Sequence, residues 1–349
     1  MADISLRGIT KTYGGLRALR GLDLDIKDGE FFVLLGQTGA GKTTTLRVIA
    51  GLEKPTAGQV LIDGQDVGGM NAAQRDVALV LQQYSLYPRL TVRGNLEFPL
   101  KSRARPHTPS EIAARVNKAA QTLQITKLLD RKVERLSGGE MQRVSIGRAI
   151  VREPRVFLMD EPLSALDAKL RESLRVELKR LHNELKATFL FVTQVEAMSM
   201  GDKIGVLNKG QLVQVGTPAQ VYHQPVNTFV ARAVGTPPMN LIDGQVSDGV
   251  LRIGGGSLPV GGAEGRDLTI GVRPENVRLE RGAPASGRVF DIEDHGVVKI
   301  VNMQVGDARM HATVPAQTRV ALDDDVRFGW AADKVVLFDR ATGINLAVT

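Results

Sequence analysis

The sequence predicts a large α/β domain with a parallel sheet, followed from about residue 236 by a small all-β domain. Long helical stretches at 110–128 and 165–187 separate the apolar segments, and strands that alternate with helices are typical of a parallel sheet. Three dense apolar runs have the length and composition of strands that helices cover on both faces: Phe31–Leu35, Val156–Met159 and Phe189–Val192.

The remaining segments predict β-structure at both ends of the chain. Residues 1–27 alternate apolar and polar side chains, which is the period of a half-buried strand. After Thr236 helical periodicity disappears, and short β-type runs alternate with Gly, Asp and Pro. A length of 349 residues suits one large and one small domain, so we predict domains at 1–235 and 236–349.

Composition excludes several classes of protein. The chain has no cysteine, which removes disulfides, thiolate metal sites and thiol nucleophiles, and fits a reducing cytosol. The N-terminus has neither the basic nor the apolar region of a secretory signal. Its apolar runs are far shorter than the roughly 20 residues that cross a bilayer, so a membrane role would be that of a peripheral subunit.

The formal charge of +7 is unevenly distributed. Residues 1–235 contain 33 basic and 23 acidic residues, whereas residues 236–349 contain 12 and 15. A basic N-terminal domain suits nucleotide phosphates, an anionic membrane surface or nucleic acid, and a solvated basic face explains it equally well. Charge alone does not choose among them.

The first chemical motif is a glycine-rich loop directly after the buried strand 31–35. Residues 36–43 match the pattern G-x-x-x-x-G-K-[ST], ending in Lys42 and Thr43 before a predicted helix. Such glycines let backbone N–H groups point at phosphate oxygens, while the lysine adds a cation and the hydroxyl can bind Mg²⁺. The motif predicts a nucleotide site.

The second motif is a pair of carboxylates, Asp160 and Glu161, at the end of the buried strand 156–159. One carboxylate there can hold Mg²⁺, and the next can polarise an attacking water. Acidic residues often end strands, so the pair alone is weak evidence. Together with the glycine loop it predicts a site for Mg²⁺ and an attacking water.

The third motif is a Ser-Gly-Gly-Glu turn, residues 137–140, which we call the signature turn. Ser137 and Glu140 have the spacing of a capping box that opens a helix toward Ile150. Two glycines in a first turn are unfavourable for a helix that needs only a cap, and they suit a site where a phosphate approaches exposed N–H groups.

Together these motifs resemble the ATPases of ABC transporters in order and spacing. The Ser-Ala-Leu-Asp run at 164–167 extends the match. The later segments 270–275 and 337–343 resemble the C-terminal OB-like (TOBE) domain of maltose-type sugar-importer ATPases. The resemblance implies a P-loop ABC ATPase domain with a helical subdomain at about 86–155, then a TOBE domain with a regulatory role.

The resemblance also implies a role for each matching residue. Tyr13 would stack on adenine, Glu161 would be the catalytic base, and Thr43, Gln82 and Asp160 would hold Mg²⁺. The surface at 84–100 resembles the one that receives a membrane subunit. The residues implied in binding ATP are Tyr13, Gly36, Gln37, Thr38, Gly39, Ala40, Gly41, Lys42, Thr43, Thr44, Gln82, Ser137, Gly138, Gly139, Glu140, Asp160 and Asp167.

The resemblance implies partners as well. In the family each signature turn closes on the ATP of the opposite subunit, so a homodimer, or a heterodimer with a close paralogue, is expected. Two transmembrane permease subunits and an extracytoplasmic solute-binding protein would complete a sugar importer at the cytoplasmic face of the membrane. Nucleic-acid-associated ABC proteins usually carry two cassettes per chain, so no nucleic-acid partner is expected.

One departure from the family pattern lies after the third apolar run. Relatives carry His-Asp between Thr193 and Gln194, and this chain lacks both residues. Either Gln194 takes the vacant place, or the shorter loop leaves the γ-phosphate side open. We expect ATP still to bind while hydrolysis falls by about 10²–10³, as when one positioned donor is lost. The alternative function is therefore an ATP-binding clamp or regulatory module with impaired hydrolysis.

Overall fold

The computed structural model describes residues 2–102, 106–164, 166–193, 197–253, 256–260 and 267–347. The chain divides into two compact units, residues 1–218 and 219–349. Among the helices of these ranges, none combines the length and the hydropathy that a bilayer-spanning segment requires.

Within its described residues the first unit contains ten strands and six α-helices. The strands are β1 (Ile4–Tyr13), β2 (Leu16–Ile26), β3 (Phe31–Leu35), β4 (Ala57–Ile62), β5 (Gln65–Asp66), β6 (Val77–Val80), β7 (Val156–Asp160), β8 (Thr188–Thr193), β9 (Lys203–Asn208) and β10 (Gln211–Gly216). The helices are α1 (Lys42–Ala50), α2 (Val92–Glu97), α3 (Pro109–Thr122), α4 (Gly138–Ile150), α5 (Ala168–Leu185) and α6 (Ala197–Met200).

The central sheet has the order β10-β9-β3-β8-β7-β6, and all neighbours except β10 are parallel. Every residue of β3, β7 and β8 is buried. The predicted parallel sheet is confirmed, and the three dense apolar runs are its central strands. The alternating N-terminal residues form a second, antiparallel sheet with the order β2-β1-β4-β5.

A helical segment occupies the chain between β6 and β7. It holds α2, α3 and α4, joined by 3₁₀ turns at Phe98–Lys101, Thr126–Leu128 and Val133–Arg135. The side chain of Thr108 caps α3 in a capping box with Glu111, and Pro109 fills the first helical position, where no N–H is needed. These helices lie within the range 86–155 expected for the helical subdomain.

The second unit is mainly β-structure around its own core. Its strands are β11 (Asn240–Ser247), β12 (Val250–Ile253), β13 (Gly256–Pro259), β14 (Asp267–Val272), β15 (Arg278–Leu279), β16 (Ala285–Asp294), β17 (Val298–Val305), β18 (Ala308–Pro315), β19 (Asp325–Gly329) and β20 (Val335–Asp339). They form two antiparallel five-stranded sheets, ordered β13-β12-β11-β14-β20 and β15-β19-β16-β17-β18. Met303, Phe328 and Trp330 are among the side chains buried in this unit.

Two short helices precede these strands, α7 (Pro218–His223) and α8 (Thr228–Ala233). The buried Arg273 guanidinium donates hydrogen bonds to the carbonyl oxygens of Tyr222, Ala231 and Val234. These bonds tie the two helices to the β domain. The compact units therefore divide at 218/219, earlier than the change of sequence texture at 236, because the helices belong with the strands that follow them.

Candidate functional site

The glycine loop joins β3 to α1, as its sequence predicts. Gly41 lies at φ 108° before the first turn of α1 and has no side-chain cap. The first amides of an uncapped α-helix have no intrahelical acceptor, so they are free to bind an anion. A Cβ on Gly36 would lie 2.6 Å from the Leu207 carbonyl oxygen, which explains glycine at the start of the loop.

Two neighbouring segments hold this loop in place. The Gly210 N–H donates to the Ala40 carbonyl oxygen at 2.8 Å, and the Arg20 N–H donates to the Gly210 carbonyl oxygen at 2.9 Å. A Cβ on Gly41 would lie 2.8 Å from the Ala18 carbonyl oxygen. Strand β2 and the β9–β10 turn therefore pack directly against the phosphate-binding backbone.

Lys42 is the buried cation of the site, with 6% of its side chain exposed. Its Nζ donates to the carbonyl oxygens of Gly36 at 2.7 Å and Gln37 at 3.1 Å. The same Nζ lies 3.5 Å from Glu161 Oε1. Hydrogen bonds to the loop carbonyl oxygens thus hold the ammonium group in place, and it also pairs with the predicted catalytic carboxylate.

Asp160 ends β7 beside the start of α1, and it is buried. Burial raises the pKa of the Asp160 carboxyl, since a charge is unfavourable away from water. A hydrogen bond with Thr43 and the charge of Lys42 act in the opposite direction. Thr43 and Asp160, predicted as magnesium ligands, are therefore adjacent.

Glu161 has a left-handed backbone, with φ 46°, and its N–H donates to the Val192 carbonyl oxygen at 3.0 Å. This conformation is unfavourable for a side chain with a Cβ and occurs often at functional sites. Gln82 Nε2 lies 3.5 Å from Glu161 Oε2. The predicted base, the Gln82 amide and Lys42 therefore meet at one point.

An open cleft of about 480 Å³ is lined by half of the predicted site residues. Tyr13 lies at its edge with 40% of its surface exposed, and Lys11 Nζ lies 4.8 Å from the centre of its ring. The predicted residues that line the cleft are Tyr13, Thr38, Gly39, Gly41, Lys42, Thr43, Thr44, Gln82 and Glu161. Of the others, Gly36, Gln37 and Ala40 belong to the loop backbone, and Asp160 is buried beside Thr43.

The signature turn does not line this cleft. Ser137 caps α4, its hydroxyl accepting from the Glu140 N–H at 3.4 Å and its N–H donating to Glu140 Oε2 at 2.7 Å. The capping box is confirmed, and these hydrogen bonds lower the pKa of Glu140. A Cβ on Gly138 would lie 3.0 Å from the Tyr84 hydroxyl, and one on Gly139 3.1 Å from Leu170. Side chains of the same chain therefore lie close to both glycines, which sequence reasoning attributed to an approaching phosphate.

Asp167 is likewise outside the cleft and has a local role. Its carboxylate accepts a hydrogen bond from the Leu170 N–H at 2.9 Å and so caps α5. Gln194, the residue considered for the missing histidine, lies outside the described residues.

The structure adds five cleft residues that sequence reasoning missed: Leu16, Arg17, Ala18, Arg20 and Lys209. The available signal was the basic charge of the first 235 residues, which composition does not assign to a location. Only the packing of β2 and of the β9–β10 turn against the loop brings these side chains to the site.

The predicted membrane-subunit surface carries an exposed aromatic pair. The rings of Tyr87 and Phe98 lie 4.2 Å apart between centroids, and Phe98 is 50% exposed. The Arg148 guanidinium lies 4.7 Å from the centre of the Tyr87 ring.

A parallel sheet, a glycine loop leading into a helix, a buried lysine and a strand-end aspartate together define a P-loop nucleotide-binding protein. Comparison with family models places the chain more closely. Residues 19–164 match the ABC transporter model, 235–277 the MalK OB fold domain and 270–338 the TOBE domain.

Relatives match along nearly the whole chain. The sulfoquinovosyl glycerol transport ATP-binding protein SmoE of Agrobacterium fabrum is 45% identical, over 98% of this chain and 99% of its own. The trehalose/maltose import ATP-binding protein MalK of Thermococcus litoralis is 44% identical over the same shares. The chain therefore belongs to the ABC transporter family, as an ATPase subunit.

Solved structures agree. The dimeric post-hydrolysis state of the ATP-binding cassette MJ0796, bound to ADP and Pi, has 33% identity and a TM-score of 0.57. It covers 62% of this chain and 98% of its own. Nucleotide binding by an ABC ATPase domain is thus established at the level of the family. The alternative of a clamp with impaired hydrolysis receives no support from these comparisons.

Proposed function

We propose that this chain is the ATP-hydrolysing subunit of an importer for a sugar or a related solute. ATP-driven closure of a dimer would drive uptake through two membrane permeases supplied by an extracytoplasmic solute-binding protein. The similar proteins from Agrobacterium and Thermococcus, named for the transport of sulfoquinovosyl glycerol and of trehalose and maltose, support the solute class. The chain would work peripherally at the cytoplasmic face of the membrane, and no nucleic-acid partner is proposed.

The observation that carries this proposal is the meeting of Lys42, Gln82 and Glu161 in the cleft beside the glycine loop. The loop amides would bind the phosphates, Lys42 would neutralise the terminal ones and Tyr13 would stack on adenine. Glu161, whose backbone is fixed by the hydrogen bond to Val192, would accept the proton of the attacking water.

The residues also fit a magnesium ion. Asp160 is a buried carboxylate whose pKa is raised chiefly by burial, and a cation would favour its charged form. Thr43 and Gln82 offer further oxygen ligands, which Mg²⁺ prefers. A bound Mg²⁺ would neutralise charge on the β- and γ-phosphates.

The dimer is proposed because the signature turn lies outside its own chain's cleft. Residues 137–140 and Asp167 would then act on the nucleotide of the opposite subunit. The dimeric ATP-binding cassette MJ0796 supports this arrangement. An identical pair of sites across a two-fold axis follows if both subunits are copies of this chain.

The aromatic surface of Tyr87 and Phe98 would contact a permease. Exposed aromatic and arginine side chains are enriched at protein interfaces, and Arg148 lies against this pair. Helices α2 and α4, which position this surface, would transmit dimer closure to the permease.

The test is purification of the chain from its own membranes, followed by phosphate release and sedimentation with MgATP. We expect two permeases to copurify and ATP turnover to rise when the binding protein and its solute are added. Lys42→Ala should abolish nucleotide binding, whereas Ser137→Ala should retain binding and lose dimer formation. ATP binding without copurified permeases, or solute-independent turnover in the complete assembly, would contradict the importer proposal.

A further inference from the structure

Three cations line the nucleotide cleft in addition to Lys42. Arg17 and Arg20 come from β2, and Lys209 comes from the turn between β9 and β10. All three are exposed, and we call them the cation rim. Within the described residues none of them forms an ion pair, although nearby Arg7 and Lys11 pair with Asp25 and Glu53.

The backbone that carries the rim is fixed relative to the loop. The Arg20 N–H donates to Gly210, and the Gly210 N–H donates to Ala40 of the loop. Glycine is required at 210, since φ is 81° and a Cβ would lie 2.5 Å from the Ala18 carbonyl oxygen. Because these contacts are between backbones, the Cα atoms of the rim residues are held in place beside the phosphate-binding amides.

The cleft is strongly unbalanced in charge. Arg17, Arg20, Lys42 and Lys209 are basic, and Glu161 is the one acidic residue among the described residues that line it. Lys42 already lies 3.5 Å from Glu161, so the rim provides the uncompensated positive charge. A cleft lined by one sign of charge concentrates ligands of the opposite sign.

We propose that the cation rim selects nucleotides by the charge of their phosphate chain and accelerates the capture of triphosphates. This inference rests on the proposed nucleotide site and adds a specificity element to it. The rim would favour ATP over ADP and ADP over AMP, while the base would be recognised elsewhere in the cleft. The chemical class that it recognises is a polyphosphate, independent of the base.

The rim side chains are exposed and act on the ligand through solvent, so their effect on binding should depend on salt. Exposed charges are screened by salt, with a Debye length of about 10 Å at 0.1 M and about 3 Å at 1 M. Exposed charges at the edge of a binding site mainly change the association rate and its salt dependence. A purely structural role for Arg17, Arg20 and Lys209 would have no such dependence on salt or ligand charge.

The experiment compares the triple variant Arg17→Gln/Arg20→Gln/Lys209→Gln with a control of equal charge change. The control replaces Lys27, Lys118 and Lys127, which are exposed on the same unit away from the cleft, by Gln. Binding of ATP, ADP, AMP and adenosine to the full chain, each without Mg²⁺ so that every phosphate charge is retained, is followed by stopped-flow and equilibrium dialysis at about 20 mM and about 500 mM salt, concentrations on either side of the 0.1 M reference.

At low salt the rim variant should capture ATP about tenfold more slowly than the parent, the lower end of electrostatic steering. The difference should fall to about twofold or less at high salt, and adenosine binding should not change. The inference is overturned if the control shows the same loss, if salt has no effect, or if adenosine and ATP weaken equally. Failure of the unmodified chain to bind MgATP would instead refute the proposed nucleotide site.

Discussion

The substitution Glu161→Gln tests the pairing at the centre of the cleft. In the structure the Glu161 carboxylate forms an ion pair with Lys42, whose Nζ lies 3.5 Å from Glu161 Oε1. A bound triphosphate needs the same ammonium and places a second negative charge beside the glutamate. Glutamine keeps the shape of the side chain and removes both the competition and the repulsion.

The expected gain follows from the geometry. Two unit charges at this separation interact by about 5 kcal/mol at an effective dielectric constant of 20, before the charges are solvated. Glu161 retains 15% exposure, so water regains part of that energy when the pair separates. We expect the free energy of MgATP binding to become more favourable by about 1–2 kcal/mol, the range typical of a hydrogen-bonded charged group. This corresponds to about fivefold to thirtyfold tighter binding.

Hydrolysis should change in the opposite direction. If Glu161 accepts the proton of the attacking water, its loss should slow turnover by about 10²–10⁴. Binding is measured by equilibrium dialysis of MgATP, and turnover by phosphate release. Glu184→Gln on α5, which makes the same chemical change in an exposed pair with Arg180, is the control and should leave both quantities near the parent values.

Two results would refute this reasoning. Weaker MgATP binding in Glu161→Gln would mean that the carboxylate helps to hold nucleotide. Turnover equal to the parent's would remove Glu161 from the role of base.

Three further substitutions test the fold, each in the full-length chain. Gly58→Ala should destabilise by about 2–4 kcal/mol, since φ is 93° and a Cβ would lie 2.5 Å from a backbone oxygen, whereas Gly14→Ala, at φ 57° with open space, should cost about 1 kcal/mol. Arg273→Met should destabilise the second unit by about 2–4 kcal/mol, because buried carbonyl oxygens lose their charged donor. His311→Gln should flatten the pH dependence of stability: burial lowers the pKa of His311, so the unfolded chain binds its proton more readily and wild-type stability falls as pH drops through about 6.5, the ordinary histidine value.

These effects are separable because the chain has one tryptophan, Trp330, buried in the second unit. Urea unfolding followed by its fluorescence should report Arg273→Met and His311→Gln, while far-UV circular dichroism reports Gly58→Ala. Exposed Arg278→Met and His295→Gln are the matched controls. Equal loss in Gly58→Ala and Gly14→Ala, an Arg273→Met midpoint equal to the Arg278→Met midpoint, or unchanged pH dependence in His311→Gln would contradict the respective argument.

Much of the architecture follows from local sequence. The runs around Phe32, Leu158 and Leu190 are short and apolar on every residue, which is typical of strands covered on both faces. The glycine loop, the Thr43 hydroxyl and Asp160 were also predicted, because their chemistry requires fixed spacing relative to such strands. Ser137 and Glu140 form the predicted capping box, since that motif involves only four consecutive residues.

In the second unit, local sequence patterns do not predict which elements pack together. Helices α7 and α8 carry no sequence mark that joins them to the β domain, and the boundary expected at 236 follows texture alone. Arg273 joins them by donating to carbonyl oxygens that lie 39, 42 and 51 residues earlier in the chain. Interactions of this kind depend on which surfaces meet after folding.

The sequence by itself determined the central strands, the phosphate-binding loop and the membership of a family of nucleotide-driven transport ATPases. Only the tertiary structure decided that Arg17, Arg20 and Lys209 line the cleft beside the loop and that Glu161 pairs with Lys42. The physical reason is the range of the interactions. Strand burial and loop chemistry are encoded by neighbouring residues, whereas the charge distribution of the cleft arises when β2, β7 and the β9–β10 turn are brought together by the sheets.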